Sequence, residues 1–194
     1  MITRRYFYTA ACLIPLSQLL ACASTPEHLY TIEAASVQNT QPPDFERPTV
    51  LLAPVTLPEL IDRPQLVVRN GEYGVEINEQ QRWAAPLKES LPKVIASELS
   101  LRLTGQNFIA ASPNVIASPS ARLFIEIASF DISRDGAGIA AHWAYRPADT
   151  HLKPIEGISR VYAAAKSAEY IDYVDAARRA TLALADDIAA QLAK

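Results

Sequence analysis

Apolar residues along this chain follow two different periods, which predict strands in most stretches and helices in two. Short β-prone runs predict strands at 29–32, 49–55, 66–68, 73–77, 108–110, 121–133, 139–145 and 159–165. Apolar residues three and four positions apart predict helices over 83–103 and 169–192. Because the helices come singly between groups of strands, the pattern predicts an α/β fold: a single domain in which two long helices pack on one mixed β-sheet.

Local signals refine the strands. Asn70-Gly71 tolerates the positive φ of a tight turn, so the strands on either side of it are predicted to form a hairpin. Asp135-Gly136-Ala137-Gly138 predicts a second hairpin in the same way. The apolar positions change parity along 121–133, which predicts a β-bulge near Ser129. Trp143 alternates with apolar neighbours and is predicted to lie in the sheet core.

The start of the first helix stays open between two alternatives because of Pro92. Either Ser90 caps a helix that begins there, or one helix begins after Pro86 and bends near Pro92. We favour the second alternative. Gly105 follows the last periodic residue and is predicted to act as the helix C-cap.

The N-terminus has the pattern of a bacterial lipoprotein signal peptide over residues 1–21. Two arginines within 1–5 precede an apolar run over 6–20 that is too short to span a membrane. The run closes with Leu19-Leu20-Ala21-Cys22, which resembles a lipobox, so Cys22 is predicted to carry thioether-linked and N-linked acyl chains such as palmitate. The alternative is an ordinary signal peptide with a chance cysteine. Ala23 in the second mature position, rather than aspartate, favours the outer membrane.

Composition and charge add limits to this picture. Residues 22–46 are polar and proline-bearing and predict a tether with a possible edge strand at 29–32, followed by the domain at 47–194. Cys12 would be lost with the leader, so the mature chain could form no internal disulfide. Loss of Arg4 and Arg5 would leave 16 basic and 21 acidic residues, a net charge of −5, which argues against nucleic acid as a partner.

The residues give no support for catalysis, a cofactor or a metal site. The three histidines, His28, His142 and His151, show no metal-ligand spacing. Neither a nucleophile elbow nor a glycine-rich phosphate loop is present in the sequence. Ser133, Asp135 and His142 are the only grouping that suggests a hydrolase triad, and hairpin geometry gives no reason for their alignment. We therefore expect a protein that is not an enzyme.

Two sequence blocks carry a resemblance to a known family. The first is Leu57-Pro58-Glu59 followed by Asp62-Arg63-Pro64-Gln65-Leu66-Val67, and the second is Arg82-Trp83-Ala84-Ala85-Pro86-Leu87. In this order and spacing they resemble the PqiC/YmbA family of ABC-type transport auxiliary lipoproteins, over most of the chain after the leader. The resemblance implies an α/β fold similar to the anticodon-binding and TolB N-terminal topologies.

The resemblance also implies a function and a partner. It implies a lipid-anchored, periplasmic subunit at the outer membrane that docks a PqiB-like MCE-domain protein of an ABC-type lipid transporter and supports membrane integrity. A homo-oligomer would fit a symmetric transport tube. A lipoprotein that binds a lipid or hydrophobic ligand on its own, in a pocket between sheet and helices, is the alternative.

The resemblance points to Arg63, Pro64, Gln65, Arg82 and Trp83 as residues of a partner-docking surface. Chemistry alone favours a simpler interpretation, in which the tryptophan packs in the core and the arginine beside it stacks or forms an ion pair. From the sequence, both interpretations stay open.

Overall fold

The computed structural model describes residues 26–33, 47–113 and 118–194. The predicted signal peptide, Cys22 and residues 23–25 and 34–46 of the predicted tether lie outside this part of the chain. The strands are β1 (His28–Tyr30), β2 (Thr49–Leu52), β3 (Gln65–Asn70), β4 (Gly74–Trp83), β5 (Asn107–Ala110), β6 (Ala121–Ile132), β7 (Gly136–Pro147) and β8 (Ile155–Ala164). The helices are α1 (Leu87–Arg102) and α2 (Tyr170–Leu192).

Three strands form a small sheet in the order β1-β4-β3. β3 and β4 make the predicted hairpin, whose turn contains Gly71 at a φ of 72°. β1 adds to the free side of β4 in the parallel direction, as expected for the edge strand predicted at 29–32. Ile32, just after β1, is almost fully buried, so this segment belongs to the folded domain.

Five strands form the larger sheet in the order β5-β2-β6-β7-β8. β2 runs parallel to both of its neighbours, whereas β6, β7 and β8 form an antiparallel meander. The predicted β-bulge is present, because the β6–β7 register shifts between Ile127 and Ser129. Pro54, which cannot donate to a ladder, lies just beyond the end of β2.

Both helices contribute to one hydrophobic core. The buried positions of α1 include Leu91, Ile95 and Leu99, and α2 contributes many alanines with Leu184 and Ile188. Small alanine side chains let α2 approach both α1 and the β7–β8 strands closely. The predicted fold class, a single α/β domain with mixed sheet and two long helices, is confirmed, although the strands divide between two sheets instead of forming one.

Helix α1 has the favoured start and differs from the prediction at its C-terminal end. It begins after Pro86, as we favoured, and Pro92 lies within it. Trp83 ends strand β4, so residues 83–86 of the broader predicted range 83–103 are not helical. The helix ends at Arg102, where the Leu103 N–H donates to the Leu99 carbonyl, and Gly105 lies outside the positive-φ region. The predicted glycine C-cap was therefore wrong: that backbone bond closes the last turn without a left-handed residue.

Candidate functional site

The two sequence blocks that carry the resemblance lie side by side at the base of the β3–β4 hairpin. Gln65 is the Cα partner of Arg82, and the Trp83 N–H donates to the Pro64 carbonyl at 2.7 Å. Arg63 immediately precedes this pairing. The structure thus joins all five predicted residues into one group, which we call the motif cluster (Arg63, Pro64, Gln65, Arg82 and Trp83).

Strand β1 completes the surroundings of the motif cluster. Leu29 pairs with Arg82 and Tyr30 pairs with Trp83. The Ala84 N–H donates to the Tyr30 carbonyl at 2.7 Å, which extends the ladder past the end of β4. Chain that begins only a few residues after the predicted lipidation site is therefore a direct neighbour of the motif cluster.

Within the motif cluster, Trp83 and Arg82 occupy different environments. Trp83 is 6% exposed and belongs to the hydrophobic core, in agreement with the simpler interpretation of this residue. Successive side chains of a strand point to opposite faces, so Arg82 is directed away from that core. Its guanidinium forms an ion pair with Glu27 at 3.1 Å. The tryptophan supports the hairpin base, and the arginine belongs to the surface.

Gln65 and Arg63 add polar groups to the motif cluster. The Gln65 side-chain amide donates to the Glu79 carboxylate at 2.8 Å. The Arg63 Nε is buried, and within the described residues it has no hydrogen-bond partner. Glu27 and Glu79 were not identified from the sequence as members of the site. Isolated carboxylates carry no pattern, and only the strand pairing shows which basic or amide group each one meets.

A tyrosine from β1 borders the motif cluster. The Tyr30 hydroxyl donates to the Gln81 side-chain carbonyl at 2.7 Å. Burial raises the pKa of Tyr30, and the negative charge of Glu169 raises it further. The phenol therefore stays neutral across the physiological range and acts here as a hydrogen-bond donor.

The structure does not bring the candidate triad together. Ser133 and Asp135 lie at the β6–β7 turn, whereas His142 pairs with Glu126 and Ile158 in mid-strand. Six residues of extended chain separate Gly136 from His142, about 20 Å at the usual rise of a strand. Within residues 26–33, 47–113 and 118–194, no three histidine, cysteine or acidic side chains are grouped to hold a metal ion.

Two open grooves lie away from the motif cluster, each of about 520 Å³. The first is on the outer face of the large sheet, where Phe124, His142 and Ile158 line it. The second lies between the helix ends and the sheet, lined by apolar Leu103, Tyr145, Ile155 and Leu192 together with polar residues of the α1–β5 connection. The second groove is the nearer match to the ligand pocket expected between sheet and helices.

Comparison with solved structures supports the fold. An uncharacterized protein of known structure aligns with a TM-score of 0.70 and 16% identity over 87% of this chain and 99% of its own. Protein XCC0632 from Xanthomonas campestris, described as a DUF330 family member, aligns with a TM-score of 0.61 and 15% identity over 84% of this chain and 92% of its own. A search of curated proteins found no match. No helix among the described residues is long and apolar enough to cross a bilayer.

These features define a single α/β domain of the same fold family as these two structures. The chain belongs to the family of ABC-type transport auxiliary lipoprotein components, whose model matches residues 30–189. The predicted resemblance is thereby confirmed. Membership assigns the protein a transport-auxiliary role, an association with an ABC-type transporter and a membrane-anchored location in the cell envelope.

Proposed function

We propose that this protein is the lipid-anchored periplasmic subunit that docks an MCE-domain protein of an ABC-type lipid transporter at the outer membrane. The observation that carries the proposal is the motif cluster. Two blocks that are distant in sequence combine with β1 to place Arg82 and Gln65 on one surface over a buried Trp83. Arginine is well suited to such a surface because its planar guanidinium can bind a partner's carboxylates at two points.

The proposed mechanism is mechanical and requires no catalytic residue. Acyl chains on Cys22 would hold the domain at the membrane, and Ala23 favours the outer membrane as that site. Confinement to a thin layer raises the effective concentration of the domain for a partner that spans the periplasm. The β1–β4 ladder, with the exposed Glu27–Arg82 ion pair beside it, places residue 27, five positions after Cys22, next to the motif cluster.

A binding measurement tests the docking role. The purified MCE-domain protein from the same organism is titrated against the mature lipoprotein, its Arg82→Ala variant and an Arg102→Ala control. Arg102 also forms ion pairs with carboxylates, those of Glu98 and Asp186. It is the last residue of α1, and the helix is about 24 Å long, whereas the motif cluster lies before the first residue of the helix. We expect Arg82→Ala to weaken binding and Arg102→Ala to leave it unchanged. If the unmodified protein binds no MCE-domain protein, the proposal is wrong.

A second candidate function is the binding of a lipid or hydrophobic ligand without a fixed partner. The groove at the helix ends favours it, because Leu103, Tyr145 and Ile155 present apolar surface there. Mass spectrometry of the protein purified from its native membrane distinguishes the two functions. Lipid that co-purifies at a fixed ratio and is lost on Leu103→Asp substitution would support the second function.

A further inference from the structure

One end of the domain displays exposed aromatic and aliphatic side chains. Tyr73 lies at the tip of the β3–β4 hairpin and is 89% exposed, and Val75 beside it is also exposed. Tyr162 of β8 and Ile171 of α2 are likewise exposed. We call this group the hairpin end (Tyr73, Val75, Tyr162 and Ile171). Single exposed apolar residues are ordinary on a protein surface, so these four are informative only because they share one end with other features.

Contacts between the elements show that these residues share one end of the molecule. The hairpin is tied to the β6–β7 turn, since Arg69 bridges to Ser133 and forms an ion pair with Asp131 at 2.7 Å. The Tyr162 hydroxyl donates to the Asp135 carbonyl in that same turn. The first residue of α2, Tyr170, donates to Glu76 of β4 at 3.0 Å.

The described residues before β1 lead toward this same end. β1 is parallel to β4, so residues that precede His28 continue toward the hairpin tip. Leu29 is level with Arg82 and its partner Gln65, and Asn70 at the tip is five residues further along β3. At the usual rise of a strand, the tip lies about 17 Å beyond the level of Leu29.

The length of chain before Leu29 limits the distance of the domain from the bilayer. Seven residue steps join Cys22 to Leu29, and fully extended they span about 25 Å. With this segment fully extended, about 17 Å of the roughly 25 Å is needed to reach from the level of Leu29 to the hairpin tip. A gap of about 8 Å then remains between the level of Asn70 and an acylated Cys22. Tyr73, in the turn beyond Asn70, is exposed on this side.

We propose that the hairpin end contacts the headgroup layer of the bilayer that holds the Cys22 acyl chains, with Tyr73 and Val75 as the leading side chains. This inference rests on the proposed lipid anchor and adds a second attachment to it. Tyrosine suits the site because its ring is apolar and its hydroxyl can bond to water or headgroups. The contact would fix the orientation of the domain and direct the motif cluster away from the bilayer.

Two cations at the hairpin end can contact phosphate groups. Arg134 of the β6–β7 turn and Lys166 before α2 are both largely exposed. Their ion pairs, with Glu76 at 3.8 Å and Asp175 at 3.1 Å, leave donors that can reach phosphate oxygens. Acidic residues lie at this end as well, so we expect the tyrosine rings and these two cations to lead the contact rather than a net positive field. They are Glu72, Glu76, Asp131 and Asp135.

A reporter at a single position tests the contact. The mature chain has Cys22 as its one cysteine, so acylation leaves no free thiol, and Tyr73→Cys introduces a unique labelling site. The acylated full-length variant is labelled with an environment-sensitive fluorophore and placed in vesicles of phosphatidylethanolamine and phosphatidylglycerol. Leu152→Cys is the matched control, because Leu152 is also exposed but lies in the β7–β8 connection at the opposite end of the sheet.

We expect the emission of the label at position 73 to shift to shorter wavelength when the protein binds vesicles. We also expect lipids that carry a spin label near the headgroup to quench this emission, while the emission of the label at position 152 does not change. If acylated, vesicle-bound protein keeps an aqueous spectrum at 73, or if both labels respond equally, the membrane contact is refuted and the anchor is retained. A response at 73 only after the MCE-domain protein is added would instead assign the hairpin end to that protein. Mass spectrometry showing no acyl chains would overturn the anchor and this inference together.

Discussion

Gly157 of β8 lies directly across the ladder from Trp143 of β7. The indole of Trp143 occupies the space that a side chain at position 157 would need. A Cβ added at Gly157 would lie 2.6 Å from the indole Cε2 and closer still to Cζ2. The Trp143 N–H donates to the buried Ser159 hydroxyl at 3.1 Å, so the ring is also held in its plane. This pair fixes the β7–β8 register beneath α2.

Gly157→Ala should destabilise the protein by about 1–3 kcal/mol, the usual cost of overpacking a filled core. Urea unfolding followed by circular dichroism measures the change. Gly138→Ala is the control, because its Cβ would meet Tyr162 and Val161 at an ordinary 3.7 Å. The effect should shrink in a Trp143→Phe background, and equal losses in both backgrounds would show that the indole is not the cause.

Gly71→Ala isolates the conformational requirement of the hairpin turn. Nothing lies within 4 Å of an added Cβ, but the φ of 72° costs an L-residue about 1 kcal/mol. Gly105→Ala is the matched control, with equally open space and no positive φ. We expect a loss of stability at position 71 alone in thermal unfolding, with Gly71→Asn intermediate because asparagine tolerates this region. A loss of equal size at Gly105 would contradict the explanation.

Trp83→Ala and Arg82→Ala should separate the two roles within the motif cluster. Removing the buried indole should cost about 3–5 kcal/mol in the free energy of unfolding. Removing Arg82 should cost less than about 1 kcal/mol, because its pair with Glu27 is exposed to solvent. The same variants are then compared in binding to the MCE-domain protein. A binding loss for Arg82→Ala without a stability loss supports a docking role, whereas unchanged binding removes Arg82 from the proposed surface.

Asp175 gives the protein a pH-dependent contribution to stability. Burial raises the pKa of this carboxyl, but hydrogen bonds and charges from Lys166 and Arg179 outweigh it and hold the pKa below its ordinary value of 3.8. A lowered folded pKa stabilises the fold above the unfolded value, and that stability is lost as the pH falls through the folded pKa.

The stability difference between the unmodified protein and Asp175→Asn should therefore be constant near neutral pH and disappear in strong acid. Chemical unfolding at a series of pH values below 5 tests this. Glu156→Gln is the control, since Glu156 forms no ion pair within the described residues. A difference that persists unchanged in strong acid would contradict the linkage.

The elements that the sequence predicted well are those set by local chemistry. The hairpin at Asn70-Gly71, the bulge near Ser129 and the period of α2 each follow from residues adjacent in the chain. The inclusion of residues 83–86 in the helix range and the glycine cap at Gly105 were predicted wrongly. Tertiary pairing decided the first, because β1 and Pro64 extend the β-ladder to the tryptophan. The second was decided by the backbone bond from the Leu103 N–H to the Leu99 carbonyl, which closes the helix without a glycine.

By itself, the sequence determined the fold class, the family resemblance and the residues of the motif cluster, since these depend on hydrophobic period and residue identity. Only the tertiary structure decided that the strands divide into two sheets and that Trp83 is buried while Arg82 is paired with Glu27. It also decided that β1 runs parallel to β4, so that residues 26 and 27 lead toward the hairpin tip. These are relations between segments distant in sequence, and their direction is set by strand pairing, of which a linear pattern contains no record.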